Sequence, residues 1–119
     1  MADNASSDAP IDMNWLRECT DNDIDAIKTL LDMYFTRTSG LLADLDKAIA
    51  AGNADDVRRL AHTCSGSSGT CGMVKLTPLF KELEKIGASG KLDQAAAVAA
   101  QARQEFKHAG DFSSGMLKT

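Results

Sequence analysis

From Asp23 onward, Ile24, Ile27, Leu31, Tyr34, Thr38, Leu41 or Leu42, Leu45 and Ile49 recur three or four positions apart. That period is the apolar stripe of an amphipathic helix, and it does not lose phase at Gly40, so a single long helix is predicted from about 22 to 51. Gly52 ends it and Asn53 caps the next, a junction that turns the chain back antiparallel. The second long helix runs from about 54 to 71, where Gly72 breaks it. Thr77 then reads as an N-cap with Pro78 in the first helical position, opening a third helix over about 77 to 87 that turns Leu79, Phe80, Leu83 and Ile86 inward. The segment GASG is a turn. Beyond it Leu92, Ala95, Ala96, Ala99, Ala102, Arg103 and Phe106 keep helical spacing up to Gly110.

Ahead of these, Ile11, Trp15 and Leu16 supply one short apolar helix, capped by Asp12 or Asn14, whose Trp15 lies as a lid across one end of the longer helices. Short connections between long amphipathic helices predict an all-α fold, an antiparallel up-down-up-down four-helix bundle with a short N-terminal helix, over residues 11–110. Residues 1–10 are small and polar and are expected to be disordered, and the aperiodic stretch 111–119 to be a flexible tail. At 119 residues the chain makes one domain, and its scarce proline and aromatics agree with the helical reading.

A formal charge of −4 argues against general binding to nucleic acid or anionic membrane, since both need a positive field. No stretch approaches the roughly 20 apolar residues that span a bilayer, and the start lacks the parts of a signal peptide. The expectation is a cytoplasmic monomer with protein partners, free-standing because it has a Met start and a full bundle. Cys19, Cys64 and Cys71 are odd in number and lack C-x-x-C spacing, so they are read as free thiols.

The informative run is RRLAHTCSGSSGTCG, residues 58–72. At roughly 100° per residue, Val57, Leu60, Ala61, Cys64, Ser68 and Cys71 share one face, which the bundle should bury. His62 lies nearly opposite Leu60, with Arg58 and Arg59 a turn before it, Ser65 and Gly66 a turn after, and Gly69 a further turn along; this is predicted to be the solvent face. Helical side chains lean toward the N-terminus, so the residue that would cover the imidazole is Gly66, which has no side chain. Each glycine inside a helix costs about 0.8–1 kcal/mol relative to alanine. Two such glycines beside an exposed histidine suggest a surface cleared for the close approach of a phosphoryl group and the protein that bears it.

In this run the sequence resembles the histidine-containing phosphotransfer (HPt) domains of phosphorelays, whose signature is His-x-Leu-Lys-Gly-Ser-Ser followed by a small or polar run, Gly and an apolar position. Here it reads His62, Thr63, Cys64, Ser65, Gly66, Ser67, Ser68, then Gly69, Thr70, Cys71, Gly72 and Leu76. The likeness spans about residues 11–109. It implies that His62 is phosphorylated by the aspartyl phosphate of a response-regulator receiver domain, or within a hybrid histidine kinase relay, and passes the group to another receiver. Arg58, Arg59, Ser65, Gly66 and Gly69 then neighbour the phosphoryl group or the docked partner. Two departures stand out: Cys64 and Cys71 replace leucines, and Ser65 replaces a lysine whose charge Arg58 or Arg59 would have to supply.

A neutral imidazole carries a free lone pair at pH 7 and needs no activation to attack phosphorus. Phosphoryl transfer otherwise depends on positioning and charge neutralisation. No carboxylate cluster for Mg²⁺, no nucleotide loop and no general base beside His62 is visible in the sequence. The chain is therefore expected to be a covalent carrier and not an enzyme, with no cofactor or metal of its own and Mg²⁺ in the partner receiver. Two rivals are an HPt-like bundle that binds a receiver without transfer, and a redox or metal protein built on His62, Cys64 and Cys71. The latter fails on geometry, because the two thiols lie on the buried face. His108 reads as a favourable charge in the last turn of the fourth helix.

Overall fold

The computed structural model of the chain describes residues 9–117. Five helices follow one another with no strand among the described residues: α1 (Met13–Thr20), α2 (Ile24–Ala50), α3 (Ala54–Thr70), α4 (Leu76–Ser89) and α5 (Ala95–Leu117). Around the bundle α2 packs on α3, α3 on α4, α4 on α5, and α5 closes back on α2, while α1 docks against α2. Short connections make successive long helices antiparallel, which gives the expected four-helix bundle with an N-terminal helix across one end. Its long dimension is 43 Å, about what the 27 residues of α2 span at roughly 1.5 Å each.

The predicted stripe of α2 is buried at Ile27, Leu31, Tyr34, Thr38 and Leu45, with Leu42 rather than Leu41 in the core and Ile24 exposed in the first turn. Gly52 takes a positive φ of 70° and the Asn53 side chain accepts a hydrogen bond from the backbone N–H of Asp56, so the α2–α3 junction forms as read. On α1, Asp12 is the cap: its carboxylate accepts from the N–H of Trp15. Trp15 Nε1 in turn donates to the carbonyl of Thr70 at 2.9 Å, and the N–H of Asp12 to the carbonyl of Gly72 at 2.8 Å. The first satisfies a carbonyl that the end of α3 leaves free, and together the two bonds pin the lid there.

Three helix boundaries differ from the sequence reading. Thr77 is not an N-cap: α4 begins at Leu76, and Thr77 Oγ1 donates backward to the carbonyl of Met73 at 2.8 Å. Pro78 is tolerated at the third position because the first turn's N–H groups have no helical partner anyway. The GASG segment is not a turn throughout; α4 continues through Gly87 and ends at Gly90, which takes the left-handed cap conformation at φ 78°. The stretch after Gly110, expected to be a loose tail, is helical through Leu117, since Ala102, Ala109 and Ser113 are buried in continuous helical phase and Phe112 packs on the core. His108 is accordingly not in a last turn, and its Nδ1 lies 3.6 Å from Glu105. At the other end Pro10 is already buried, while residues 1–8 of the segment expected to be disordered lie outside the described residues.

Candidate functional site

Six residues of α3 and its C-terminal cap predicted to face inward do so: Val57, Leu60, Ala61, Cys64, Ser68 and Cys71 are all buried. Ser68 of the Gly-Ser-Ser run faces Tyr34 of α2, hydroxyl to hydroxyl at 2.6 Å, a buried polar contact that ties the two helices in register. Burial raises the Tyr34 hydroxyl well above the usual phenol range. It also pushes the Cys64 thiol up to about 12, partly opposed by the charge of Arg37, and raises that of Cys71. Both thiols are inert hydrophobes turned away from His62, and no group of three metal-ligating side chains occurs among the described residues.

The outward face carries His62, whose side chain is 73% exposed. Cβ atoms placed on Gly66 would meet nothing within 4 Å, and on Gly69 only the methyl of Thr77 at 4.0 Å. Neither glycine is required by packing within the bundle. The hydroxyls bordering this strip fold back onto the helix: Thr63 donates to the Arg59 carbonyl, Ser67 to those of Thr63 and Cys64, and Thr70 to that of Gly66. The result is a smooth strip running from the imidazole toward the indole of Trp15.

Ser65, expected on the solvent face, is buried instead. The physical reason is the closeness of α4. A Cβ on Gly87 would lie 2.5 Å from the backbone nitrogen of Arg58 and 2.9 Å from the carbonyl oxygen of Ala54, so the two helices touch backbone to backbone, and α4 covers that flank of α3. Arg58 and Arg59 are exposed as predicted, but each reaches back one turn to form an ion pair at 3.0 Å, with Asp55 and Asp56 respectively, and neither contacts His62.

The same close packing brings in a residue that the sequence reading missed. Glu84 of α4, half-buried, places Oε2 3.0 Å from Nδ1 of His62. The sequence pattern points to no partner beside the histidine. A carboxylate accepts only, so Nδ1 carries the proton and donates, which leaves the lone pair on Nε2. Among the described residues Nε2 has no hydrogen-bond partner. The signal for Glu84 lay in its place one turn from Phe80 and Gly87 at the edge of the buried stripe of α4, but its pairing depends on a helix register that only Gly87 fixes.

A family model described as the Hpt domain matches residues 29–111, a span that includes the helix bearing this exposed imidazole. The chain belongs to the Hpt domain family. Among solved structures, this Hpt chain is similar to histidine-containing phosphotransfer protein B (HptB) from Pseudomonas aeruginosa PAO1, with a TM-score of 0.83 and 29% sequence identity, covering 92% of this chain and 96% of that one. No match is found among curated proteins. Membership places the chain among the phosphotransfer carriers of two-component signalling, whose domains interact with receivers and kinases. No helix of the Hpt chain, among the described residues, is long and apolar enough to cross a membrane.

Proposed function

We propose that His62 accepts a phosphoryl group through Nε2 from the aspartyl phosphate of a receiver domain and passes it to the aspartate of a second receiver. The observation that carries this reading is the 3.0 Å contact between Nδ1 of His62 and Glu84, on an otherwise exposed ring beside Gly66. In the first step the Nε2 lone pair forms the N–P bond while the bond from phosphorus to the aspartyl oxygen breaks and its electron pair returns to the carboxylate. The ring becomes cationic with the proton still on Nδ1, and Glu84 offsets that charge. The second transfer reverses these changes. Glu84 thus positions the ring and holds its tautomer rather than removing a proton from the nucleophile. The Mg²⁺ that the family resemblance implies in the receiver would supply charge neutralisation at the phosphoryl oxygens, where transfer depends most on electrostatics. Position 65 is a serine and brings no charge of its own, so that task falls to the partner.

The test is incubation with receivers charged by a small phosphodonor, followed by assay for an acid-labile, alkali-stable phosphate on the chain. Label on the native protein and none on His62→Gln is the expected result. Glu84→Ala should slow transfer without abolishing it and let both ring tautomers appear in the nitrogen NMR spectrum of His62. Receivers that bind but never label the chain would overturn the carrier reading and leave a bundle that docks without transfer.

A further inference from the structure

Of the five arginines in the sequence, four are engaged within the fold: Arg17 with Asn14, Arg58 with Asp55, Arg59 with Asp56 and Arg103 with Asp46. Arg37 of α2 has no hydrogen-bond or ion-pair partner among the described residues. Its helical neighbours one turn away, Met33, Tyr34, Gly40 and Leu41, include no acid. The contact between Tyr34 and Ser68 sets the register of two antiparallel helices, so residue 37 stands level with residue 65, only about 4.5 Å along the axis from His62. Arg37 is exposed, and its side chain lines a shallow apolar groove between α2 and α3 together with Leu30, Met33, Ser67 and Cys71. Asp32 borders the same groove without pairing to it. Ser67, whose hydroxyl borders the cleared strip, lines the same groove, so the charge of Arg37 lies on the α2 flank of that strip.

We propose that Arg37 is the residue whose free guanidinium pairs with a surface carboxylate of the docking receiver and so fixes affinity and orientation, a role that the two arginines preceding His62 do not fill. The inference rests on the receiver reading above. A protein surface that presents an aspartyl phosphate and holds Mg²⁺ through carboxylates is acidic by its own chemistry. The cation that meets such a surface at least cost is one with no internal partner to give up. Arg58 and Arg59 would each have to break an ion pair, whereas Arg37 has none to break. Leu30 and Met33, both exposed, continue the groove and give the partner an apolar footing next to the charge.

The measurement is titration of the full chain with unphosphorylated, Mg²⁺-loaded receiver at low and high salt, together with the transfer rate at saturating receiver. Arg37→Met keeps the apolar stem over the groove and removes only the charge. It should weaken binding about 10-fold at low salt, flatten the salt dependence, and leave saturated transfer within about twofold, with Arg37→Lys restoring most of the affinity. Arg58→Met and Arg59→Met should each stay within about twofold of wild type. Unchanged affinity in Arg37→Met, or a loss that is the same at every salt concentration, would overturn the proposal while the native chain still takes up phosphate. A native chain that binds no receiver overturns the receiver reading and this inference with it; one that binds without accepting phosphate overturns only the transfer step.

Discussion

Gly66 and Gly87 lie inside neighbouring helices, and the same change at each should move stability in opposite directions. At Gly66 a methyl group enters open space, so alanine contributes only its better helix propensity, a gain of about 0.8–1 kcal/mol. At Gly87 that gain is set against a methyl 2.5 Å from the Arg58 nitrogen and 2.8 Å from its Cα, both backbone atoms that no rotamer change can clear. Ordinary contact is about 3.5–4.0 Å, so α4 must retreat by roughly 1 Å. Overpacking of this kind costs about 1–3 kcal/mol, which leaves Gly87→Ala destabilised by up to about 2 kcal/mol after the propensity gain. For a domain of this size each kcal/mol moves the melting temperature by about 3–6 °C. Thermal and urea unfolding should therefore place Gly66→Ala a few degrees above the native protein and Gly87→Ala several below. The retreat of α4 should also stretch the contact of Glu84 with His62 and mix the ring's tautomers in the NMR spectrum. Gly66→Gln adds the functional contrast: it should be at least as stable as the native chain yet dock a receiver at least about 10-fold more weakly, because its side chain covers the imidazole. A Gly87→Ala variant as stable as the native chain would refute the close-packing argument, and a Gly66→Gln variant that transfers phosphate normally would refute the cleared-surface one.

The buried polar groups carry two further predictions. Tyr34→Phe leaves the Ser68 hydroxyl buried without its 2.6 Å partner and should cost about 1–3 kcal/mol in urea unfolding, with His62 still exposed and reactive toward diethyl pyrocarbonate. Cys64, with its thiol pushed up to about 12, and Tyr34, also raised, both hold their protons more tightly folded than unfolded. Their contribution is whole below about pH 9 and is lost as the pH rises toward 12, by up to about 1.4 kcal/mol per pH unit for each group, so the melting temperature should fall over that range and fall less in Cys64→Ala.

The bundle was legible because its signals are local. Periodicity located the inward faces of α2 and α3, and Gly52 and Asn53 located the junction between them. What stayed hidden depended on distances between helices. Gly87 carries the composition of a turn, and only the approach of α4 to Arg58 shows that it is a contact point inside a helix. Ser65 and Glu84 changed their reading for that reason: the first is covered by the approach, and the second is carried by it to the imidazole. The last two turns of α5 were missed because Gly110 and Gly115 obscure a stripe in which Ala109 and Ser113 still face the core.

Charge at the site is arranged so that little of it faces outward except where a partner would meet it. The hydroxyls of the strip are returned to their own helix, Arg58 and Arg59 are neutralised one turn back, and Glu84 is held by Nδ1 of His62. A carrier that must release one receiver before it meets the next gains from such a surface, since strong fixed charges would slow release as much as they aid docking. For the proposed transfer the imidazole needs a held tautomer and open space above Nε2, and both come from helix packing that is complete before any partner arrives. On this argument the rate of exchange is set by how quickly receivers leave. Raising the salt concentration should therefore speed turnover between two receivers present at saturating levels, even though it weakens the binding of each.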